Sequence, residues 1–368
     1  MSAKELEKIK KAAGQLFLMG LAGPSISAQE KKIISEFQIG GAIYFARNVE
    51  SPAQVRSLSY ELYQALEVLP LIGIDQEGGR VARLHQPFTE FPGNDYLGKH
   101  YKKSKDAKLA RLQAAAMAVE LKSVGINLNF TPVVDVHSNP NNPIIGPRAF
   151  CSDPKNVAAL AKITIQEYKK QSVVCCAKHF PGHGDTDVDS HLTLPLIRAS
   201  QKVLEERELL PFKTCISESV PTIMTAHIMF PALDRKYPAT LSKKILQGLL
   251  REKMGYKGLI ISDDMEMKAI AENWSIPQAC VMALQAGVDL VLVCKSLEEL
   301  SASYDAVVKA IESKKLSQER VSQALRRISR LKTRYVKKSR FSALHRPGKY
   351  GWDRHQRLAE KIKSLGGS

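Results

Sequence analysis

The chain lacks any apolar run of the roughly 18 residues that a membrane-spanning helix needs. Residues 1–11 mix charged and apolar positions and contain no apolar stretch ahead of a cleavage site, which is not the pattern of a secretory signal. We therefore expect this segment to begin an amphipathic helix. We also expect the protein to act in the cytoplasm, without a membrane partner.

Cysteine pairing motifs are also absent. The chain has six cysteines, but none forms a C-x-x-C pair, so reduced and buried thiols are expected rather than disulfides or a cysteine metal centre. There is no low-complexity tract, and the apolar fraction of 44% is sufficient for a folded core.

Acidic residues are fewer than basic ones, with 37 Asp and Glu against 54 Lys and Arg, which gives a net charge of +17. Part of the excess lies at the C-terminus, where residues 330–368 hold twelve Lys and Arg against Asp353 and Glu360. Such a run is typical of a solvated helix face, and it also suits a polyanion partner. Because the charge lies away from the motifs described below, we do not expect nucleic-acid binding to be the main role.

What the chain does have is a repeated unit: a short β-rich run, a polar or Gly-rich loop, and then a helical pattern. Eight such units predict a single (β/α)8 TIM-type barrel, with a doubly wound sheet as the alternative. The predicted strands are Gln15–Met19, Gly41–Phe45, Leu71–Asp75, Asn127–Val134, Val173–Ala177, Thr222–Ala226, Leu259–Ser262 and Val288–Val293.

The way the strands end favours the barrel. Polar residues follow five of them, and in a barrel these ends all face one rim, where active sites lie. Arginine and asparagine occur in the same loops, and carboxylates with guanidinium groups suit a ligand rich in hydroxyls. The strand ends are Asp75, Asp135, Lys178-His179, His227 and Asp263-Asp264.

The segment Lys178–His191 carries more chemistry than any other part of the chain. It holds three histidines, three aspartates and a lysine directly after an apolar run. Glycoside hydrolysis needs two groups that flank the bond, and Asp263 suits the nucleophile. Glu77 is the only glutamate that stands out as a proton donor at the rim, but His191 with Asp189 beside it offers another.

A metal site is the competing interpretation of this segment, because His179, His183 and His191 are credible ligands together with the aspartates between them. The Asp-x-Asp-x-Asp spacing resembles the start of a calcium-binding EF-hand loop. However, Ser190 stands where the glycine is needed and Leu196 where the glutamate is needed, so that pattern fails. A metal-dependent barrel hydrolase using the His179–His191 loop stays open as the alternative function.

Four segments together resemble the β-N-acetylhexosaminidase (NagZ-type) branch of glycoside hydrolase family 3. The resemblance extends over roughly residues 1–335, and the segment that begins at Lys178 is its most specific part. Ala149 departs from it, because Ser is common there, and so does the basic segment after Val336. The four segments are Gly73–Val81, Ile145–Phe150, Lys178–His191 and Ile261–Met265.

The resemblance implies a retaining hydrolase with Asp263 as nucleophile, His191 as general acid/base and Asp189 as its partner. Lys178 could also form an internal salt bridge, to Asp75 or Asp135, without losing contact with the sugar. The residues implied to hold the terminal N-acetylglucosamine are Asp75, Arg83, Arg148, Lys178 and His179.

By the same resemblance, the substrate is a cell-wall fragment in which N-acetylglucosamine is linked to an anhydro-muramyl sugar, with or without peptide. We expect neither a cofactor nor a metal ion, and a monomer whose partner is this small carbohydrate. Residues 1–338 are predicted to form the catalytic barrel, and residues 339–368 a separate basic C-terminal segment.

Overall fold

Eight parallel strands form a closed barrel in the computed structural model, which describes residues 3–186, 194–345 and 352–366. Each strand pairs with the next along the chain, and the eighth pairs with the first. The (β/α)8 prediction is confirmed. The strands are β1 (Phe17–Gly20), β2 (Gly41–Tyr44), β3 (Leu71–Ile74), β4 (Leu128–Asn129), β5 (Val174–Phe180), β6 (Thr222–Thr225), β7 (Leu259–Asp264) and β8 (Leu290–Val293).

Helices surround the barrel. Within the described residues they are α1 (Ala3–Gly14), α2 (Ala28–Phe37), α3 (Pro52–Gln64), α4 (Asn94–Ser104), α5 (Lys108–Ser123), α6 (Pro154–Gln171), α7 (Gln201–Val203), α8 (Leu209–Ser217), α9 (Lys268–Ala271), α10 (Ile276–Ala286), α11 (Leu297–Glu312), α12 (Gln318–Tyr335), α13 (Lys338–Ser342) and α14 (Asp353–Gly366). Leu204–Glu208 and Lys244–Lys253 are π-helical. None of the described helices is long and apolar enough to cross a membrane.

Local sequence explains where several helices begin. The Ser51 hydroxyl accepts the backbone N–H of Gln54 at 3.1 Å, and Pro52 lies in the first turn of α3, where its missing N–H costs no hydrogen bond. Ser200 caps α7 in the same way. All six cysteines lie in the described part of the chain as free thiols, and all except the half-buried Cys151 are buried.

β4 is much shorter than the predicted strand Asn127–Val134. Pro132 has no N–H to donate to a neighbouring strand, and regular pairing ends before it. Backbone contact with β5 continues beyond β4, because the carbonyl of Pro132 accepts the N–H of Lys178 at 3.2 Å and the N–H of Val134 donates to the carbonyl of Lys178 at 2.9 Å. These bonds hold the end of this segment against β5 at the rim.

β5 is longer than predicted, because Lys178 and His179 lie inside the strand rather than in the loop after it. Both side chains are buried and have carboxylate partners, so the strand continues through ionisable residues without leaving a charge unpaired. The register between β5 and β6 shifts between Ala177 and Phe180, and a similar shift occurs between β7 and β8. Both irregularities lie next to the polar rim, where bulges commonly redirect side chains.

The C-terminal part of the chain packs on the outside of the barrel. Arg56 of α3 binds the carbonyl of Leu344 at 2.9 Å, and Phe341 of α13 stacks on Tyr63 with ring centroids 5.0 Å apart. The last helix, α14, lies against α4 and α5. The division of the chain at residue 338 stays a prediction.

Candidate active site

The C-terminal ends of β3 to β7 bring the predicted polar residues to one rim of the barrel. Asp75 follows β3, Lys178 and His179 lie in β5, and Asp263 lies in β7. This is the face on which barrel enzymes carry their chemistry.

A buried lysine joins two of the loops at this rim. The Nζ of Lys178 lies 2.6 Å from Oδ1 of Asp75 and 2.6 Å from Oε1 of Glu77, and its side chain is only 2% exposed. Burial lowers the pKa of Lys178, but the two carboxylates outweigh it, so that the pKa lies above its ordinary value. Asp75 is one of the two salt-bridge partners that the sequence predicts for Lys178. The other, Asp135, binds His179 instead.

Glu77 is held between two cations. Arg148 donates from Nε to Oε2 and from Nη2 to Oε1 of Glu77, both at 2.9 Å, and Lys178 also contacts Oε1. Burial raises the pKa of Glu77, but the charges of Arg148 and Lys178 outweigh it and lower the pKa to about 2. Glu77 is therefore ionised at neutral pH and cannot supply a proton. Its part is to hold the two cations in place.

Arg83 and Arg148 occupy different environments. Arg148 is 9% exposed, and its Nη2 approaches Nε2 of His179 at 3.4 Å. Arg83 is more open, with Nη2 at 3.7 Å from Oδ2 of Asp75. Two other rim arginines, Arg47 and Arg80, donate to backbone carbonyls and so tie neighbouring loops together.

The tautomer of His179 is set by Asp135. Nδ1 of His179 donates to Oδ2 of Asp135 at 2.7 Å, while the backbone N–H groups of His179 and His183 donate to Oδ1 at 3.0 and 2.8 Å. Burial raises the pKa of Asp135, but the adjacent His179 lowers it by more. The pKa of Asp135 therefore lies below its ordinary value. With the proton on Nδ1, Nε2 of His179 is an acceptor, and it faces Nη2 of Arg148.

Asp263 is half-buried near the end of β7, and its Oδ1 accepts the backbone N–H of Asp264 at 2.8 Å. Burial raises the pKa of Asp263, but the imidazoles of His179 and His227 and the Lys178 cation together outweigh it, so the pKa lies below its ordinary value. An ionised carboxylate at the rim is the electronic state that a nucleophile needs.

His227, at the end of β6, is a residue that the sequence located without giving it a role. Its Nε2 lies 3.0 Å from the carbonyl oxygen of Asp264, and since a carbonyl only accepts, that nitrogen carries a proton. Its Nδ1 lies 2.8 Å from the hydroxyl of Thr240. The imidazole therefore fixes the backbone next to Asp263 and adds positive potential there.

The first part of the loop after β5 is held by several contacts. His183 is buried, with Nδ1 at 3.1 Å from Oγ1 of Thr186, and burial with the neighbouring His179 lowers its pKa to about 4. Asp185 accepts from Nη2 of Arg207 at 2.6 Å. The predicted acid/base His191 and its partner Asp189 lie outside the described residues.

The potential metal ligands at the start of this loop have other partners. His179 is bound to Asp135, and Asp185 to Arg207. Within the described ranges, no group of three or more His, Cys, Asp or Glu side chains is placed to hold a metal ion.

Comparison with known proteins identifies the family. Residues 4–331 match the model of the glycosyl hydrolase family 3 N-terminal domain. Beta-hexosaminidase A of Pseudoalteromonas piscicida is 39% identical over 358 residues, which cover 90% of this chain and 59% of that protein. The chain thus spans less than two thirds of the length of that relative. A beta-hexosaminidase of Nitrosomonas eutropha is 35% identical, over 85% of this chain and 91% of its own length.

Solved structures agree with the sequence matches. The family 3 β-N-acetylglucosaminidase of Paenibacillus sp. str. FPU-7 superposes with a TM-score of 0.90 at 38% identity, covering 97% of this chain and 68% of that one. NagZ from Neisseria gonorrhoeae in complex with N-trifluoroacetyl-D-glucosamine superposes with a TM-score of 0.78 at 29% identity, covering 96% and 98%. The barrel, its polar rim and these matches lead to one assignment: the chain belongs to glycoside hydrolase family 3.

Proposed function

We propose that this protein is a retaining exo-β-N-acetylglucosaminidase that removes terminal, non-reducing N-acetylglucosamine. The observation that carries the proposal is the environment of Asp263. Its carboxylate has a lowered pKa and lies at the barrel rim under the influence of His179, His227 and Lys178. A retaining glycosidase needs an ionised carboxylate to attack the anomeric carbon and a second group to donate a proton.

The remaining rim residues supply sugar contacts in this proposal. Asp75 carries an acceptor for sugar hydroxyls and is itself oriented by Lys178 at 2.6 Å. Arg83, Arg148 and Lys178 supply donors, and His179 presents Nε2, which can accept. Glu77 fixes the positions of Arg148 and Lys178, and Asp135 fixes that of His179. Fixed donors bind a hydroxylated ligand without first being ordered, which lowers the entropic cost of binding.

The reaction follows from the two roles. His191 protonates the departing oxygen while Asp263 attacks the opposite face of the sugar, which gives a covalent glycosyl-enzyme. His191 then takes a proton from water, which attacks the same carbon and releases the sugar with its β configuration retained. Asp189 orients and stabilises the imidazole as it becomes charged.

The proposed substrate is a peptidoglycan fragment, N-acetylglucosamine linked to anhydro-N-acetylmuramic acid, with or without its peptide. Support comes from the likeness to NagZ of Neisseria gonorrhoeae, whose structure holds an N-acylated glucosamine. We propose that the protein acts as a monomer in the cytoplasm, in the recycling of cell-wall fragments, and without a cofactor.

The test is release of a chromophore from an aryl β-N-acetylglucosaminide by the parent protein and by Asp263→Asn. The parent is expected to turn over, also with a chelator present, and Asp263→Asn is expected to lose roughly 10³-fold or more in kcat. Asp264→Asn makes the same charge change at the next position and should retain activity within about tenfold. Equal rates for the parent and Asp263→Asn would contradict the proposal, as would an α-anomer as first product in an NMR time course.

A further inference from the structure

The C-terminal helix reaches back to the loop after β3, which carries Arg83. At the start of α14, the ring of Trp352 stacks on the ring of Phe88, with centroids 4.9 Å apart and planes 20° apart. Phe88 is 1% exposed and Trp352 8% exposed. The family match ends at residue 331, so this contact is made by a part of the chain beyond it.

A second contact joins the same elements at one buried carboxylate. Glu120 of α5 accepts the backbone N–H of Thr89 at 2.9 Å and the Thr89 hydroxyl at 2.6 Å. Nδ1 of His355, on α14, lies 2.8 Å from Oε1 of Glu120. Helix α5, the loop after β3 and helix α14 therefore come together at Thr89, the residue next to Phe88.

A short and well-fixed stretch connects these contacts to Arg83. The N–H of Phe88 donates to the carbonyl of His85 at 3.0 Å, which closes a turn. The backbone N–H groups of Arg83 and Leu84 both donate to Oε1 of Gln76, at 2.8 and 3.1 Å. Only four residues separate Arg83 from Phe88, and the stretch is fixed at both ends, so a displacement at Phe88 has little chain in which to be absorbed.

Arg83 itself has few fixed contacts at its guanidinium. Its Nη2 is 3.7 Å from Asp75, and its side chain is 28% exposed. Its Nε is buried and has no hydrogen-bond partner among the described residues. The placement of this guanidinium therefore depends on the backbone that carries it more than on side-chain partners.

We propose that Trp352 and His355 are positioning residues, which hold the β3 loop and through it place Arg83 for the sugar. This inference rests on the proposed glycosidase function, in which Arg83 binds substrate. It gives the C-terminal segment a role in substrate affinity, because α14 adds its contacts to those that Gln76 and Glu120 make with the loop.

The first arm of the test is steady-state kinetics on an aryl β-N-acetylglucosaminide. Trp352→Ala is expected to raise KM about tenfold and to change kcat less than about threefold, because ground-state contacts are lost while Asp263 is untouched. Trp352→Phe keeps the stacking and should restore KM to within about twofold. His355→Ala removes a partly exposed side chain, should leave the fold intact, and should raise KM in the same direction.

The matched control is Ile362→Ala. Ile362 is fully buried on the same helix, about 15 Å farther along its axis. It is expected to lower the melting temperature as Trp352→Ala does, with KM unchanged. In an Arg83→Ala background, Trp352→Ala should add no further increase in KM. An equal rise in KM for Ile362→Ala, or a full additional rise in the Arg83→Ala background, would overturn the inference.

A second arm does not depend on activity. Amide hydrogen exchange over residues 83–89 should become faster in Trp352→Ala and His355→Ala, and stay at the parent rate in Ile362→Ala. If the parent protein has no glycosidase activity, the proposed function fails, and this arm still decides whether α14 supports the loop. Unchanged exchange in both variants would contradict the positioning role, whatever the kinetics.

Discussion

Arg148 binds the carboxylate of Glu77 through two hydrogen bonds of 2.9 Å, one from Nε and one from Nη2. Lys178 adds a third contact, to the oxygen that also accepts from Nη2. One carboxylate therefore organises two of the cations that face the sugar in the proposed site. The same arrangement keeps Glu77 ionised, which leaves the proton transfer of the reaction to another group.

Glu77→Gln is expected to destabilise the protein by about 3 kcal/mol, because it leaves two buried cations without their shared counter-charge. Binding of substrate should weaken at the same time, since Arg148 and Lys178 lose their fixed positions. Urea unfolding at pH 7 measures the first effect, and KM measures the second. The control is Glu90→Gln, which removes an exposed pair with His85 and should change stability by less than about 1 kcal/mol. Equal stabilities for the two variants would contradict this role of Glu77.

Much of this site was visible in the sequence. Apolar runs that end in Asp75, Lys178 or Asp263 predicted both the barrel and the rim, because strand pattern and strand-end polarity are local properties. Ion pairing is not a local property. The sequence predicts a salt bridge of Lys178 to Asp75 or Asp135, and the structure shows a second one, to Glu77. From the sequence, Glu77 is a candidate only for the proton donor. Glu77 and Arg148 are 71 positions apart, and no pattern within a strand or helix links them.

Other features required the folded chain. The extension of β5 through Lys178 and His179 depends on carboxylates supplied by two other loops. The contact of Trp352 with Phe88 joins segments 264 positions apart on the outside of the barrel, where sequence periodicity carries no information on partners. From the sequence, the basic C-terminal segment is therefore predicted to be separate from the barrel, although its helix contacts a loop of the proposed site.

Glu208 should make stability depend on pH near neutrality. It lies under Gly182, accepts from Nε of Arg207 at 2.6 Å, and its Oε2 is buried without a partner in the described part of the chain. Burial, only partly opposed by Arg207, raises its pKa to about 7. The folded protein thus binds this proton more tightly than the unfolded chain does. The resulting stability is fully present below about pH 4.5 and is lost as pH rises through about 7.

Glu208→Gln removes this dependence, since the amide stays neutral and its oxygen can still accept from Arg207. At pH 8 the variant is expected to be more stable than the parent by on the order of 1–3 kcal/mol, with little difference at pH 4.5. Urea unfolding at both pH values measures the gap. A variant that is less stable than the parent at pH 8 would show that the carboxylate is needed in its charged form.

His227→Gln is expected to shift the pH profile of activity. The His227 imidazole lowers the pKa of Asp263, so its loss should raise that pKa. Because the nucleophile must be ionised, the acidic limb of kcat/KM should move to higher pH, by roughly 0.5–1 unit. Thr240→Val, which removes the hydroxyl beside Nδ1 but keeps the imidazole, serves as the comparison and should shift the limb less. An unchanged limb in His227→Gln would mean that this histidine holds the Asp264 backbone without tuning the carboxylate.

The account depends most on Asp263 as the group that bonds to the sugar. A 5-fluoro-N-acetylglucosaminyl fluoride slows both steps by destabilising the oxocarbenium-like transition state, and its good leaving group lets the glycosyl-enzyme accumulate. Trypsin then releases residues 258–268 as one peptide, which holds Asp263 with Asp264 and Glu266 beside it. Fragmentation in the mass spectrometer is expected to place the added sugar on Asp263. A label on Asp264, on Glu266 or on another peptide, or loss of turnover with no labelled peptide, would contradict the assignment.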